Sequence, residues 1–259
     1  MSDLFDLDTK TALVTGGSRG IGFMIARGLI QAGVRVFISS RKAEDLEAAA
    51  AELAQDGGSC VAIPADLSTP EGARALGDAV RSQTGQLDIL VNNAGATWGA
   101  PLEEFPASGW DRAMHTNLEA VFHLTVSLLP ELRAAATPEV PARVVNIGSV
   151  DGIRVPVMES YSYSASKAAV HMLTRHLAKR LAPEHITVNA IAPGPFESKM
   201  MAFMLRDEES RRAVEEMVPL RRIGRPDDAA GLTIFLCSRA GSYLTGAVIP
   251  LDGGITGCG

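Results

Sequence analysis

Cysteine is scarce in this chain. The three present, Cys60, Cys237 and Cys258, are far apart, odd in number and without a CxxC spacing, which argues against both a disulfide framework and a zinc cluster. The five histidines make no HExxH, so no metal is expected. Positive charge is in deficit: 24 Lys and Arg against 30 Asp and Glu leave a net charge of −6. That balance disfavours a nucleic-acid surface and suits a protein that handles small molecules. No apolar run reaches the length of a membrane span, so no membrane partner is expected. The opening MSDLFDLDTK is acidic and lacks the basic and apolar regions of a secretory signal, which makes a reducing cytoplasm the expected compartment. Repeats at a period of roughly 20 to 50 residues, low-complexity tracts and linker-like composition shifts are missing too, so one domain over residues 1–259 is expected.

What is present is a regular alternation of short apolar runs and longer helix-forming segments. The runs predict strands at 11–15, 34–39, 61–64, 87–91, 143–147, 186–191 and 247–251. Helices are expected at 21–32, 42–55, 70–82, 109–136 as one long element, 161–181, and near 207–217. Strands that are almost wholly apolar and separated by helices predict a parallel sheet buried on both faces. The fold class is therefore α/β: a doubly wound, Rossmann-like sheet with right-handed crossovers. Residues 193–226, with Pro193, Pro195, Pro219 and Pro226, break the rhythm and read as an insertion over the sheet edge that serves as a substrate lid.

Directly after the first strand comes Thr15-Gly16-Gly17-Ser18-Arg19-Gly20-Ile21-Gly22, opening a helix. Glycines there permit a tight turn and bring a phosphate close to backbone N–H groups at the positive end of the helix dipole. A site for NAD would place an acid at the end of the second strand. This chain has Ser39-Ser40-Arg41 instead, and Arg41 with Arg19 matches a 2′-phosphate, which points to NADP(H). Asp66, followed by Leu67, ends the third strand and either accepts from an adenine amino group or caps the next helix. Asn92, Asn93, Ala94 and Gly95 follow the fourth strand at the edge where ligands bind in such sheets, although asparagine is also an ordinary turn former. The fifth strand delivers Ser149 to the same edge, and Asn117 stands inside the long helix, where asparagine is a poor helix former.

Tyr163 precedes Lys167 by four residues in YSYSASKAAV, so a phenol and an ammonium share one helical face. A tyrosine of ordinary pKa near 10 exchanges protons at neutral pH only if its phenolate is stabilised, and a neighbouring cation provides that. The pair reads as a proton-transfer device.

Taken together, the glycine loop, Asn92 to Gly95, Asn117, Ser149, Tyr163 with Lys167, and Pro193-Gly194 resemble the short-chain dehydrogenase/reductase family over nearly the whole chain. The resemblance implies that Tyr163 is the general acid or base and that Lys167 binds the nicotinamide ribose and lowers the tyrosine pKa. It further implies that Ser149 orients the carbonyl and Asn117 holds a water in the proton relay. Where the family often has a threonine touching the nicotinamide amide, Ser198 is the nearest candidate. The stretches TWGAPLEEFPASGW and PARVVNIGSVDGI are similar to ketoacyl reductases of the fatty-acid-synthesis and rhamnolipid types, which implies a 3-ketoacyl substrate on acyl carrier protein or coenzyme A. Alternatives are a polyol, sugar or steroid-type alcohol dehydrogenase and a non-catalytic NADP-binding regulatory protein. The intact Ser149, Tyr163 and Lys167 speak against the last.

Met200, Met201, Phe203, Met204 and Leu205 suit an apolar substrate, or else pack the insertion onto the body. The arginines from Arg211 to Arg225 either greet an acidic carrier protein or belong to a balanced surface. The family implies a homotetramer or homodimer, and the apolar breadth of the helix around Val121, Phe122 and Leu124 agrees.

Overall fold

The structure is a computed structural model that describes residues 4–258. The first three residues of the acidic opening segment lie outside it. Seven parallel strands run in the order β3-β2-β1-β4-β5-β6-β7. They are β1 (Thr11–Thr15), β2 (Arg35–Ser40), β3 (Cys60–Pro64), β4 (Ile89–Asn92), β5 (Ala142–Ile147), β6 (Ile186–Pro193) and β7 (Val248–Leu251). The order reverses between β1 and β4, so the loops leaving those two strands flank the crevice at the carboxyl edge. The sheet is doubly wound and Rossmann-like, as the alternation predicts.

Two apolar layers cover its faces. On one, Leu29 and Ile25 of α1 (Gly20–Gln31) and Leu46 of α2 (Ala43–Ala54) meet Val14, Val36 and Ile38. On the other, Leu76 of α3 (Pro70–Gln83) and Leu124 further along the chain meet Leu13, Leu90 and Val144. Each fully buried Leu or Ile contributes about 1.5–3 kcal/mol relative to leaving it exposed. Strand residues alternate between the two layers, which is why the runs are apolar throughout.

The single long helix expected over 109–136 is not continuous. α4 (Ala107–Met114) passes through a π turn (His115–Glu119) into α5 (Ala120–Ser127). The chain then breaks at Leu128 (φ −97°, ψ 5°) before α6 (Leu129–Ala135). Pro130 explains the break: it has no N–H for a continuous ladder but is tolerated in the first turn of a new helix. α7 (Tyr161–Leu181) runs as its sequence predicts and packs on β6.

Within the proline-rich stretch, α8 (Glu208–Glu216) starts where Asp207 accepts from the Ser210 N–H at 2.8 Å. The segment folds back through a bridge between Phe196 and Gly224, a hydrogen bond from Leu220 N–H to the Gly253 carbonyl, and a cavity of about 460 Å³ beside Gly20 and Phe23. It thus touches both the end of β7 and the amino end of α1. A helix that the periodicity does not show, α9 (Pro226–Cys237), follows it and lies across α1.

Among the described residues no helix is long and apolar enough to cross a membrane. Nor is any group of three His, Cys, Asp or Glu placed to hold a metal ion.

Candidate active site

The glycine loop and the loop after β4 are one hydrogen-bonded unit. The Thr15 hydroxyl accepts from the N–H groups of Asn93 and Ala94, both at 2.9 Å. The Asn93 amide donates to the carbonyls of Thr15 (2.8 Å) and Gly16 (3.2 Å). A methyl at Gly22 would overlap the Asn93 amide and the Gly16 carbonyl. This glycine is therefore required by the loop's closure onto Asn93, not only by the approach of a phosphate. Gly20, at φ +57°, has the left-handed conformation that glycine adopts without strain, and Ser198 lies beside it.

The residues present fit a dinucleotide phosphate ester. α1 begins at Arg19 with no side-chain cap and no acid in its first turn, leaving its positive end open to an anion. At the end of β2 the hydroxyls of Ser39 and Ser40 are buried without a hydrogen-bond partner, next to the exposed Arg41. Buried hydroxyls are nearly always satisfied, so two unsatisfied ones here mark a polar site that expects a ligand. Ser39 was not foreseen from the sequence, where it reads only as strand.

Asp66 is exposed, and its carboxylate accepts from Ser68 N–H at 3.0 Å. It does not cap α3: Thr69 does, accepting from Gly72 N–H at 3.1 Å. Of the two readings of Asp66, the cap is overturned, because Thr69 stands at the geometrically correct position. Leu67 is buried in the second apolar layer.

Asn117 occupies the π turn, almost fully buried. Its Oδ1 accepts from Ala96 N–H at 2.7 Å, and its Nδ2 donates to the Ala96 carbonyl and the Ser166 hydroxyl, both at 2.9 Å. The wider turn aims this side chain across to α7, and π turns recur at functional sites for that reason. A second buried chain links Thr125, Asn92, Asn146 and Thr174 across β4 and β5. The signal for it in the sequence is an asparagine near the end of each of two largely apolar strands.

Ser149 leaves β5, nearly buried, and Tyr163 and Lys167 face it from α7. Lys167 Nζ lies 5.7 Å from the centre of the Tyr163 ring and donates to the Ile147 carbonyl at 2.7 Å. Gly95 lies against both Asn117 and Lys167 Nζ. The structure therefore brings Asn117, Ser149, Tyr163 and Lys167 together at the carboxyl edge, with Asn93 to Gly95 beside them. Pro193 and Gly194 end β6 on the same edge.

The electrostatics differ from the expectation. Tyr163 is not depressed: burial pushes its hydroxyl up to about 12, against a hydrogen bond from Ser149 that lowers it, while the Asp151 charge raises it further. Burial likewise pushes Lys167 down to about 8. Desolvation favours the neutral form of each. The one-turn spacing is real, but the cation does not outweigh the loss of water.

In the proline-rich stretch Met200 and Phe203 are exposed and Met201, Met204 and Leu205 half-buried. The arginines there are largely paired: Arg211 with Glu197 and Glu215, Arg212 with Glu208, and Arg222 with Asp228. The balanced-surface reading fits this.

Residues 16–256 match the family model described as enoyl-(acyl carrier protein) reductase. The chain is 52% identical to the rhamnolipids biosynthesis 3-oxoacyl-[acyl-carrier-protein] reductase of Pseudomonas aeruginosa, over 98% of this chain and 99% of that protein. It is 35% identical to gluconate 5-dehydrogenase of Gluconobacter oxydans, over 98% of this chain and 97% of that protein. A solved Pseudomonas aeruginosa RhlG/NADP active-site complex superposes with a TM-score of 0.96 at 51% identity, covering 99% of this chain and 100% of that one.

Proposed function

The chain belongs to the short-chain dehydrogenase/reductase family, and from that premise we propose that it is an NADP(H)-dependent reductase of 3-ketoacyl thioesters. The observation that carries the reading is the Tyr163 phenol, beside Ser149 and one turn from the buried Lys167 at the sheet's carboxyl edge.

When bound, the reduced cofactor supplies a hydride. Arg19, Arg41 and the hydroxyls of Ser39 and Ser40 hold its 2′-phosphate side. Gly16, Ser18, Gly20, Ile21 and Gly22 cradle the phosphates, and Asn93 to Gly95, Pro193, Gly194 and Ser198 complete the binding edge. Asp66 and Leu67 border the adenine. The Ser149 hydroxyl donates to the ketone oxygen, and that bond strengthens as negative charge grows there. Tyr163 gives its proton to the same oxygen. A phenol held at about 12 is fully protonated at neutral pH and still far more acidic than an alcohol, so it suits an acid for reduction. Lys167 orients the ribose and, while charged, stabilises the phenolate once formed. Asn117 spends both amide N–H groups on Ala96 and Ser166 and keeps an acceptor lone pair on Oδ1 for a relay water.

The exposed Met200 and Phe203 and the half-buried Met201, Met204 and Leu205 form the apolar side of a substrate lid over 193–226, within a single domain 1–259. They favour an acyl chain. A polyol or sugar alcohol is the second reading, supported by the likeness to gluconate 5-dehydrogenase. Turnover of a panel read by NADPH absorbance separates the two. Long-chain 3-ketoacyl thioesters, on coenzyme A and on acyl carrier protein, should exceed keto-sugars and steroids, and a preference for keto-sugars would overturn the proposal.

Exposed Trp110, Phe122 and Val126 on α4 and α5, with Met172 on α7, support assembly into a homodimer or homotetramer in the cytoplasm.

A further inference from the structure

We propose that His171 is a positioning residue of the active site: its ring, wedged against Gly148 and Gly152, fixes the turn that carries Ser149 against the helix that carries Tyr163 and Lys167. The inference rests on the reading of Ser149 as the donor to the ketone oxygen and adds the support behind it.

Ser149 stands between two glycines whose missing side chains leave room for the ring. A methyl at Gly148 would overlap His171 Nε2 and lie 2.7 Å from its Cδ2, and one at Gly152 would lie 2.9 Å from its Cε1. One edge of the imidazole therefore faces the backbone just before Ser149, and another faces the end of the turn that follows. Gly148 is anchored on its other side, where its N–H donates to the Ile191 carbonyl at 2.7 Å. The turn, Val150–Gly152, is closed by Ser149 itself: its Oγ accepts from Asp151 N–H at 3.1 Å and its carbonyl from Gly152 N–H at 3.0 Å. A methyl at Gly152 would also stand 2.7 Å from Ala168 N, so the turn seats directly on α7 beside the ring.

The place of His171 on α7 gives this contact its consequence. Tyr163, Lys167 and His171 follow one another at four-residue intervals and form one stripe of a single helix. That stripe presents the phenol, the ammonium and, through the ring, the seat of the Ser149 hydroxyl. A displacement of about 1 Å in such a constellation can cost about a hundredfold in rate. The ring is buried, yet its Nε2 has no hydrogen-bond partner. A buried polar atom left unsatisfied carries a cost that an apolar side chain of similar size would avoid. Shape answers that cost: a flat ring fits a slot between two backbone stretches that a branched side chain would push apart. Burial first, then the charges of Lys167 and Arg175, hold its pKa down to about 4, so the wedge is a neutral ring at neutral pH.

His171→Ala empties the slot, and His171→Asn keeps a flat polar group in it. Turnover of whichever ketone the enzyme reduces fastest is measured together with NADPH affinity on each preparation. His171→Ala should lower kcat about tenfold with NADPH affinity within about twofold of wild type, and His171→Asn should recover most of that loss. Because His171 acts through Ser149, the same change on a Ser149→Ala background should cost less than about twofold. Gly148→Ala should nearly abolish turnover beside the intact ring. Adding His171→Ala to it should raise turnover, since the vacated slot receives the methyl and the next atom is the Ile191 carbonyl oxygen at 3.3 Å. Should the alanine variant fold poorly, His171→Leu repeats the measurement with the slot filled by a branched side chain and should lose kcat likewise. Wild-type kcat in these variants, equal losses with and without Ser149, or a fall in kcat matched by lost NADPH affinity would overturn the proposal. The substrate need only be one that the wild type reduces, so a preference for keto-sugars would overturn the ketoacyl reading and leave this test intact.

Discussion

The loops around Gly16 and Asn93 and the segment from Met200 to Leu205, which follows the Ser198 that lies beside Gly20, are built in opposite ways. The first region is backbone geometry held by internal bonds: Thr15, Asn93 and Gly22 fit one another so closely that one added methyl would collide. The second exposes Met200 and Phe203 and is held by local turns, in which Met201 N–H donates to Ser198 and the N–H groups of Met204 and Leu205 to the Met201 carbonyl. A constant ligand is served by a preformed cradle, whereas a variable acyl chain is served by adaptable methionines. The contrast teaches where damage should register: on the cradle side as lost cofactor affinity, on the side of the proposed lid as altered substrate preference.

Between the two regions, the larger effect should come from the cradle's charged rim. Arg19→Ala/Arg41→Ala removes two charge-assisted contacts and should weaken NADPH binding about a hundredfold, leaving NADH binding nearly unchanged. Fluorescence titration with each cofactor measures it, and equal losses for both would remove the 2′-phosphate role.

Against Gly148 and Gly152 lies His171, buried on α7. Desolvation first, then the charges of Lys167 and Arg175, push it from 6.5 down to about 4, against a hydrogen bond to Gly152. A group depressed in the folded state contributes stability that is full above pH 6.5 and is lost as the pH falls through 4. Urea unfolding across that window should show a loss on the order of 2 kcal/mol. His171→Gln should flatten it, and an equal slope in the variant would assign the loss elsewhere.

The smallest effect belongs to the lid. Phe203→Ser should raise KM for a long-chain ketoacyl thioester about tenfold, with little change for a short chain or in unfolding temperature. A marked drop in melting temperature would show instead that Phe203 packs the lid.

Much of this was readable in the chain. Apolar runs bounded by turn residues marked every strand, and YSYSASKAAV marked α7 from its first residue. The site residues Ser149, Tyr163 and Lys167 were named because chemistry restricts the side chains that can act there. Three features were hidden for physical reasons. α9 carries apolar or small residues on nearly every side after its first turn, lying beside α1 and against β5, so it shows no helical stripe. The π turn adds one residue to a helical ladder, for which sequence has no marker beyond the misplaced Asn117. The protonation of Tyr163 depends on how much water the fold removes, and a spacing of four residues reports the nearby cation but not the burial that outweighs it.

The central claim is that a neutral, half-buried Tyr163 donates the proton in ketone reduction. Tyr163→Phe tests it most directly, with NADPH affinity read by fluorescence and turnover of a ketoacyl thioester read by absorbance on the same preparation. Turnover should fall by about 10²–10⁴ while NADPH binds within about twofold of wild type. Substantial turnover in a variant that binds the cofactor normally would contradict it.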